Sequence, residues 1–505
     1  MSGQFSVNGA SNVNGDSSVN GASSGNGDSS VNGASSGNGD SPGNGYSGVN
    51  SNSENPSSAT TKTGRRAAYT FVDQSFSSVS NFAVGVAIAR VAGAAGLGAF
   101  SLAYAGWQLL AALHRSLVTD PMAINGVIYN VEGHVHTKEV RQGISNGLAA
   151  ELLLGLVGTV IFGILSLIFL AFGATTFAIG MAAMAPWLPV LLAQDYWRWV
   201  GFMTRRPKRA LANDTVFNCV QGAAFVVVFV THTHSIAALI AAWGLGGLAG
   251  ALYGLRQYRV LPSFSGGWGM LRGHWSMSKW LAGTSLSTSG GTQLSVFIAG
   301  IVLGPAGLGG LKAAQTLVMG PSGVLIMAGG SIGLPEASKA YTEKGRSGLL
   351  RVARIVTLCG FCSFLAGAIV IVVFGKQLLT AIYGPSFAHL ELAAILMAIA
   401  YMIISFSLGP VLVLKATRNT RPLFHIQLVS LVVSAASLVV LSKVWGVNGA
   451  AGATMITFAA GALGTRLVQH RVLQGRYQEG QKTSPSASLD GPAPSRPEPG
   501  VEPVF

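Results

Sequence analysis

The sequence predicts an all-α polytopic membrane protein, with about twelve transmembrane helices in two six-helix bundles related by a parallel pseudo-two-fold repeat. Three observations lead there. Half of the 505 residues are hydrophobic and 10% are charged, whereas an average soluble domain carries about 25% charge. The middle of the chain is a series of apolar segments, each near the ~20 residues that span a bilayer. The two halves share a sequence repeat. A chain so poor in charge cannot clothe a soluble core of this size. The composition therefore excludes an ordinary soluble enzyme, and the net charge of +14 is read by position rather than as a nucleic-acid footprint.

The first 66 residues form a separate segment. Residues 17–28 read SSVNGASSGNGD and residues 29–40 repeat that string. Gly, Ser and Asn dominate, with almost nothing apolar to bury, so this tail is expected to be disordered. Residues 471–505, rich in Pro and Ser, are expected to form a second disordered tail. No secretory signal peptide opens the chain, so the insertion signal is expected further in.

Between the tails, the apolar segments place spans near 70–92, 96–114, 149–172, 174–196, 213–231 and 235–255. These make an N-terminal bundle over 67–258. After a cytoplasmic linker at 259–279 come 280–303, 306–333, 352–375, 389–414, 422–442 and 447–465, making a C-terminal bundle over 280–470. Pro186 and Pro189 interrupt the fourth span. Gly290-Gly291, Gly320-Pro321 and Gly409-Pro410 are expected hinge or kink points.

Charge placement supports this count. With the N-terminus in the cytoplasm, 28 of the 32 Lys and Arg residues fall on cytoplasmic segments. External loops hold Lys376 and Lys443; Arg90 and Lys312 lie within spans. This is a strong positive-inside distribution, and it places both termini in the cytoplasm. The external loops are too short to fold into a catalytic domain.

The repeat has an offset of 211. Gly93, Gly96, Leu97, Gly98 and Ala103 have identical partners at Gly304, Gly307, Leu308, Gly309 and Ala314. Both copies follow an outward-running helix, so the repeat is parallel and implies an axis along the membrane normal. Secondary transporters use this design, with a central cavity between rocking lobes.

Signatures of catalysis or nucleotide binding are absent: there is no GxxxxGK[ST], HExxH or GxSxG, and no cofactor is expected. The three cysteines, Cys219, Cys359 and Cys362, are read as buried small residues, although the last two have CxxC spacing. His134 and His136, near Glu132 and Glu139, are read as a solvated cytoplasmic loop, and His232 and His234 as an external turn.

Charges inside spans are costly and point to function. Arg90 and Lys312 near the outer ends of their spans would form a cationic site for an anionic group such as pyrophosphate if both faced the cavity. The acids Asp73, Glu151, Asp195, Asp214 and Glu336 gather at the inner ends. Asp73 and Gln74 open the first span ahead of a polar stretch that ends at Asn81, and the seventh span carries a matching stretch from Thr284 to Thr292. These polar residues, with Gln315, are candidates for a hydrated cavity lining.

These residues carry a resemblance. Asp73-Gln74 leading to Ser80-Asn81-Phe82, then Arg90 and Gly96-Leu97-Gly98-Ala-Phe100, resembles the opening of polysaccharide-biosynthesis flippases. So do Gln194-Asp195-Tyr196 with Arg205-Arg206-Pro207, and Leu311-Lys312-Ala-Ala-Gln315-Thr-Leu with Gly320-Pro321. Those flippases belong to the multidrug/oligosaccharidyl-lipid/polysaccharide (MOP) exporter superfamily, and the resemblance covers about 70–470. It implies a MATE-like fold and, by alternating access without ATP, export of a polyprenyl-diphosphate-linked oligosaccharide across the plasma (inner) membrane for cell-surface polysaccharide synthesis. Arg90 is the position carried over first and Lys312 second. The expected partners are the lipid-linked glycan, membrane lipids, and a glycan polymerase and glycosyltransferases; nucleic acid is not expected. The chain departs from the resemblance in having few cavity charges. The alternatives are a cation-coupled multidrug or metabolite efflux antiporter, which needs a membrane-embedded carboxylate that is not evident here, and, further off, a membrane glycan polymerase or glycosyltransferase or a non-transporting scaffold.

Overall fold

The computed structural model describes residues 56–124, 138–204, 206–417, 419 and 421–483. Among them there is no strand. The helices are α1 (Pro56–His114), α2 (Asp120–Ile124), α3 (Lys138–Ala171), α4 (Thr175–Met184), α5 (Leu188–Met203), α6 (Pro207–Val230), α7 (Ile236–Tyr258), α8 (Phe264–Ser285), α9 (Gly291–Tyr383), α10 (Glu391–Ala416) and α11 (Arg421–Thr483). Two short π-helical turns interrupt this order, Arg115–Thr119 after α1 and Leu286–Gly290 between α8 and α9.

Nine helical stretches among the described residues are long and apolar enough to cross a membrane. Twelve spans were expected; three of the helices, α1, α9 and α11, are far too long for one crossing. At 1.5 Å per residue, the 93 residues of α9 would extend about 140 Å, against a hydrocarbon core of about 30 Å. Four glycines break these helices: Gly93 in α1, Gly304 and Gly345 in α9, and Gly446 in α11, each with a φ between 56° and 70°. Only glycine adopts this conformation without cost. Each is followed three residues later by a second glycine, giving Gly93-x-x-Gly96, Gly304-x-x-Gly307, Gly345-x-x-Gly348 and Gly446-x-x-Gly449. Gly348 and Gly449 sit against the carbonyls of Ala340 and Leu441. Residues eight apart in a straight helix lie about 12 Å from one another, so the chain doubles back at these points.

The repeat is visible as reciprocal packing. Gly98 lies against the carbonyl of Pro305, and Gly309 against the carbonyl of Ala94. Pro305 and Gly309 are the 211-residue counterparts of Ala94 and Gly98. Two copies of one element thus meet through the same pair of positions, as an axis between them requires. A continuous core runs across this seam, from Ile88, Leu97 and Phe100 to Leu308, Phe364 and Tyr401.

Outward faces are apolar. On α3, Leu156, Val160, Ile164 and Leu167 are more than half exposed, the pattern of a lipid-facing surface. The three cysteines also lie on exposed positions, which corrects the expectation that they are buried; lipid accepts a small apolar side chain as readily as a core does.

Boundaries differ from expectation where polar sequence forms helix. The limit set for the N-terminal tail at residue 66 falls inside α1, and α11 runs on to Thr483. Most of the linker assigned to 259–279 is α8, which continues through the π-turn into α9. At Pro186 the fourth span changes to a 3-10 turn, Ala185–Trp187, and resumes as α5 to Met203. In α10 the backbone N–H of Gly409, beside Pro410, donates to Thr357 Oγ1 at 3.1 Å.

Candidate functional site

The C-terminal half encloses a cavity of about 330 Å³, within the range of small-ligand sites. The start of α9 (Gly291, Thr292, Ser295), its stretch after Gly304 (Lys312, Gln315), α10 (Ser407) and α11 (Gln427, Ser430, Thr457) all contribute to its wall. The lining is rich in hydroxyls and amides. Among the described lining residues Lys312 is the sole charged side chain, and none is acidic. The Lys312 ammonium donates to Gln315 Oε1 at 2.9 Å, and Gln315 Nε2 donates to the Tyr401 hydroxyl at 2.9 Å. One amide thus fixes the cation's position while accepting only one of its three protons.

The N-terminal half carries different side chains at the equivalent positions. Ser101 stands where Lys312 does and turns its hydroxyl back to the Leu97 carbonyl. Tyr104, the counterpart of Gln315, joins an aromatic cluster with Trp107 and Trp243, with ring centroids 5.3 and 5.7 Å away. The repeat has therefore kept its packing glycines and lost its chemical symmetry.

A second constellation lies inside the N-terminal half. His114, the last residue of α1, is fully buried, as is Glu151 of α3, and Asp195 of α5 is 4% exposed. His114 Nδ1 lies 2.9 Å from Glu151 Oε1 and Nε2 lies 2.9 Å from Asp195 Oδ2. Arg115 adds Nε and Nη2 contacts to Asp195 at 3.1 and 3.0 Å. Beside it, Arg198 pairs with Asp214 at 3.1 Å, and Gln194 donates to Asp214 at 2.9 Å. A neutral imidazole donates from one nitrogen only. With a carboxylate at each nitrogen, the trio holds one more proton than three neutral-pH defaults would give: either His114 is imidazolium or one carboxyl is protonated. With the imidazolium, the three cations His114, Arg115 and Arg198 balance Glu151, Asp195 and Asp214.

This trio meets the C-terminal half through the first π-turn. Ser116 Oγ and Ser285 Oγ are hydrogen-bonded, and Ser278 Oγ donates to the Leu117 carbonyl at 3.4 Å. π-Turns interrupt helices frequently at functional sites.

The residues singled out from sequence are placed as follows. Lys312 and Gln315 line the C-terminal cavity. Arg90 does not; it is exposed and donates its Nε to the Ile382 carbonyl at 2.7 Å and Nη2 to that of Ala381. It spends its guanidinium on the carbonyls that end α9, where a cation is favoured by the helix dipole, so the pairing of Arg90 with Lys312 in one cationic site is not found. Asp73, Gln74 and Asn81 lie on α1, and their side chains fall outside the described residues, as do His134, His136, Glu132 and Arg205. Glu336 is exposed. His234 Nδ1 lies 2.9 Å from the Val91 carbonyl. Glu151 and Asp195, expected among the acids at the inner ends of the spans, are both buried in the protein. Sequence reasoning noted both acids but missed His114, whose signal is its position at the end of an otherwise uncharged run, 91–113.

Residues 128–341 match the family model described as polysaccharide biosynthesis protein. No curated protein matches. An inward-facing multidrug resistance MATE family transporter of the MOP superfamily aligns with a TM-score of 0.65 and 14% identity, covering 80% of this chain and 95% of that one. An outward-facing structure of such a transporter gives 0.55 and 15%, covering 83% and 96%. A MOP superfamily transporter from Pyrococcus furiosus, described as having a binding pocket of reverse polarity that suggests a different function, gives 0.55 and 14%, covering 84% and 96%. The chain has the MATE-like fold of MOP transporters, and both comparisons support the resemblance read from its sequence.

Proposed function

From that multi-pass transporter fold, we propose that the protein flips a polyprenyl-diphosphate-linked oligosaccharide across the inner membrane by alternating access, for cell-surface polysaccharide synthesis. The observation that carries this reading is Lys312, the one charge among the described residues of a largely apolar cavity that also presents hydroxyls and amides. A buried ammonium needs a counter-charge, and a diphosphate supplies it together with oxygens for the surrounding hydroxyls. A cavity of about 330 Å³ takes the charged head group, and the sugars extend from it. The family match to polysaccharide biosynthesis proteins supports the same substrate class. Glycosyltransferases would supply the lipid-linked glycan and a polymerase would consume it.

The drive in this reading is proton exchange at His114, Glu151 and Asp195. Removing the shared proton leaves one uncompensated negative charge among buried groups, a costly state that a change in helix packing relieves. The contacts from Ser116 and Leu117 to α8 pass such a change to the half that holds Lys312. Arg90, joining α1 to the end of α9, closes the outer seam.

A second reading, cation-coupled multidrug efflux, is favoured by the same buried carboxylates and by the multidrug transporters among the structural neighbours. The test is a deletion strain complemented with wild-type protein or Lys312→Ala. The flippase reading expects lipid-linked glycan to accumulate and surface glycan to fall without the protein, and expects Lys312→Ala not to rescue at normal expression. Unchanged lipid-linked pools with altered drug sensitivity would replace it with the efflux reading.

A further inference from the structure

Helix α8 carries a surface that the transport cycle above does not use. We infer that this surface binds anionic phospholipids of the cytoplasmic leaflet. Phe264, Trp268 and Trp275 recur at i, i+4 and i+11, so they share one face. They are 50%, 64% and 58% exposed, and Trp280 is 73% exposed. The packed side of the helix adjoins this face: Gly267 sits against Ala149 and Ala150 of α3, and Ser278 is buried against Leu117. Arg272 and Lys279 border the aromatic face, are exposed, and form no ion pair among the described residues. Lys279 Nζ lies 5.7 Å from the Trp280 ring centroid.

Three features separate this face from ordinary lipid-facing surface. The first is its aromatic content. Exposed positions on the spans are mainly Leu, Ile, Val and Phe, whereas three of the four exposed tryptophans among the described residues are Trp268, Trp275 and Trp280. The fourth, Trp445, adjoins the turn at Gly446. Indole favours the headgroup level over both the hydrocarbon core and bulk water. The second is depth. The run from Phe264 to the turn at Gly304 is helical throughout and about 60 Å long at 1.5 Å per residue, so its last ~20 residues fill the core and α8 emerges beyond it. The positive-inside distribution puts that end in the cytoplasm. The third is charge complementarity: no Asp or Glu occurs between Asp214 and Glu336. Phosphate groups of anionic lipids at this level meet Arg272 and Lys279 while the rings sit among the upper acyl carbons. A soluble acidic protein would satisfy the cations but leave the tryptophan face in water.

The test is native mass spectrometry of the full-length protein released from nanodiscs containing phosphatidylglycerol and phosphatidylcholine. The wild type is expected to retain phosphatidylglycerol preferentially. Arg272→Gln with Lys279→Gln is expected to weaken that retention about 30-fold, at about 1 kcal/mol for each basic residue, whereas Arg272→Lys with Lys279→Arg retains it. Equal retention of both lipids by the wild type would overturn the inference. So would unchanged phosphatidylglycerol retention in the glutamine variant, or an equal loss in the charge-preserving variant, which would show a folding defect rather than a charge contact.

Discussion

Gly98 lies against the main-chain carbonyl of Pro305, with no room for a side chain between them. Its counterpart Gly309 repeats the contact on Ala94. The two halves meet here at backbone distance, the kind of approach that small residues allow between membrane helices.

Gly98→Val and Gly309→Val are therefore each expected to destabilise the protein, by roughly 1–3 kcal/mol or more, because backbone rather than a flexible side chain must give way. Thermal unfolding in detergent reads this. Gly163→Ala, where a Cβ meets nothing within 4 Å, is the control and should not lower the midpoint, since alanine is the better helix former.

Lys312→Met should leave the fold intact and abolish export of the diphosphate-linked glycan, because it removes the cavity's charge while keeping its volume. Lys312→Arg should retain part of the activity. Gln315→Leu should fall between them, since it releases the ammonium from its fixed position without removing it; surface glycan in complemented cells reads all three.

Glu151→Ala should be among the most damaging single changes in the chain. It leaves His114 and Asp195 buried with a broken pair, at a cost of roughly 3–5 kcal/mol. Glu151→Gln keeps the shape and one acceptor. It should fold, and transport by it should no longer respond to an imposed proton gradient, measured in proteoliposomes. A gradient response equal to wild type would remove the trio from the drive.

Arg90→Gln should loosen the outer seam by removing the charge from the end of α9. A cysteine introduced near that seam should then react faster with a membrane-impermeant maleimide. An unchanged labelling rate would show that the contact does not hold the seam closed.

The fold was legible in the sequence because lipid imposes simple rules. Spans read as apolar runs, and Gly93 and Gly304 marked two turns through the repeat. The turns at Gly345 and Gly446 also fall between expected spans, but without matching flanks their shared G-x-x-G spacing did not stand out. Helix α8 was hidden by its polar residues and glycines, which read as a linker; packing on α3 and the pull of the interface make it helical. Lys312 stood out as a charge within a span. Arg90 did too, yet its partners are carbonyls of Ala381 and Ile382, about 290 residues away, and no local pattern announces them. The trio of His114, Glu151 and Asp195 depends on three helices converging, so its members looked like unrelated residues near helix ends.

The central claim is that the lone cavity cation receives a diphosphate. The most direct measurement is flipping of a fluorescent polyprenyl-diphosphate sugar in proteoliposomes by wild-type protein and by Lys312→Met. The account predicts transport by the wild type, inhibition by excess unlabelled polyprenyl-diphosphate sugar, and loss of transport in the variant at equal reconstitution. Transport by Lys312→Met at the wild-type rate would contradict it.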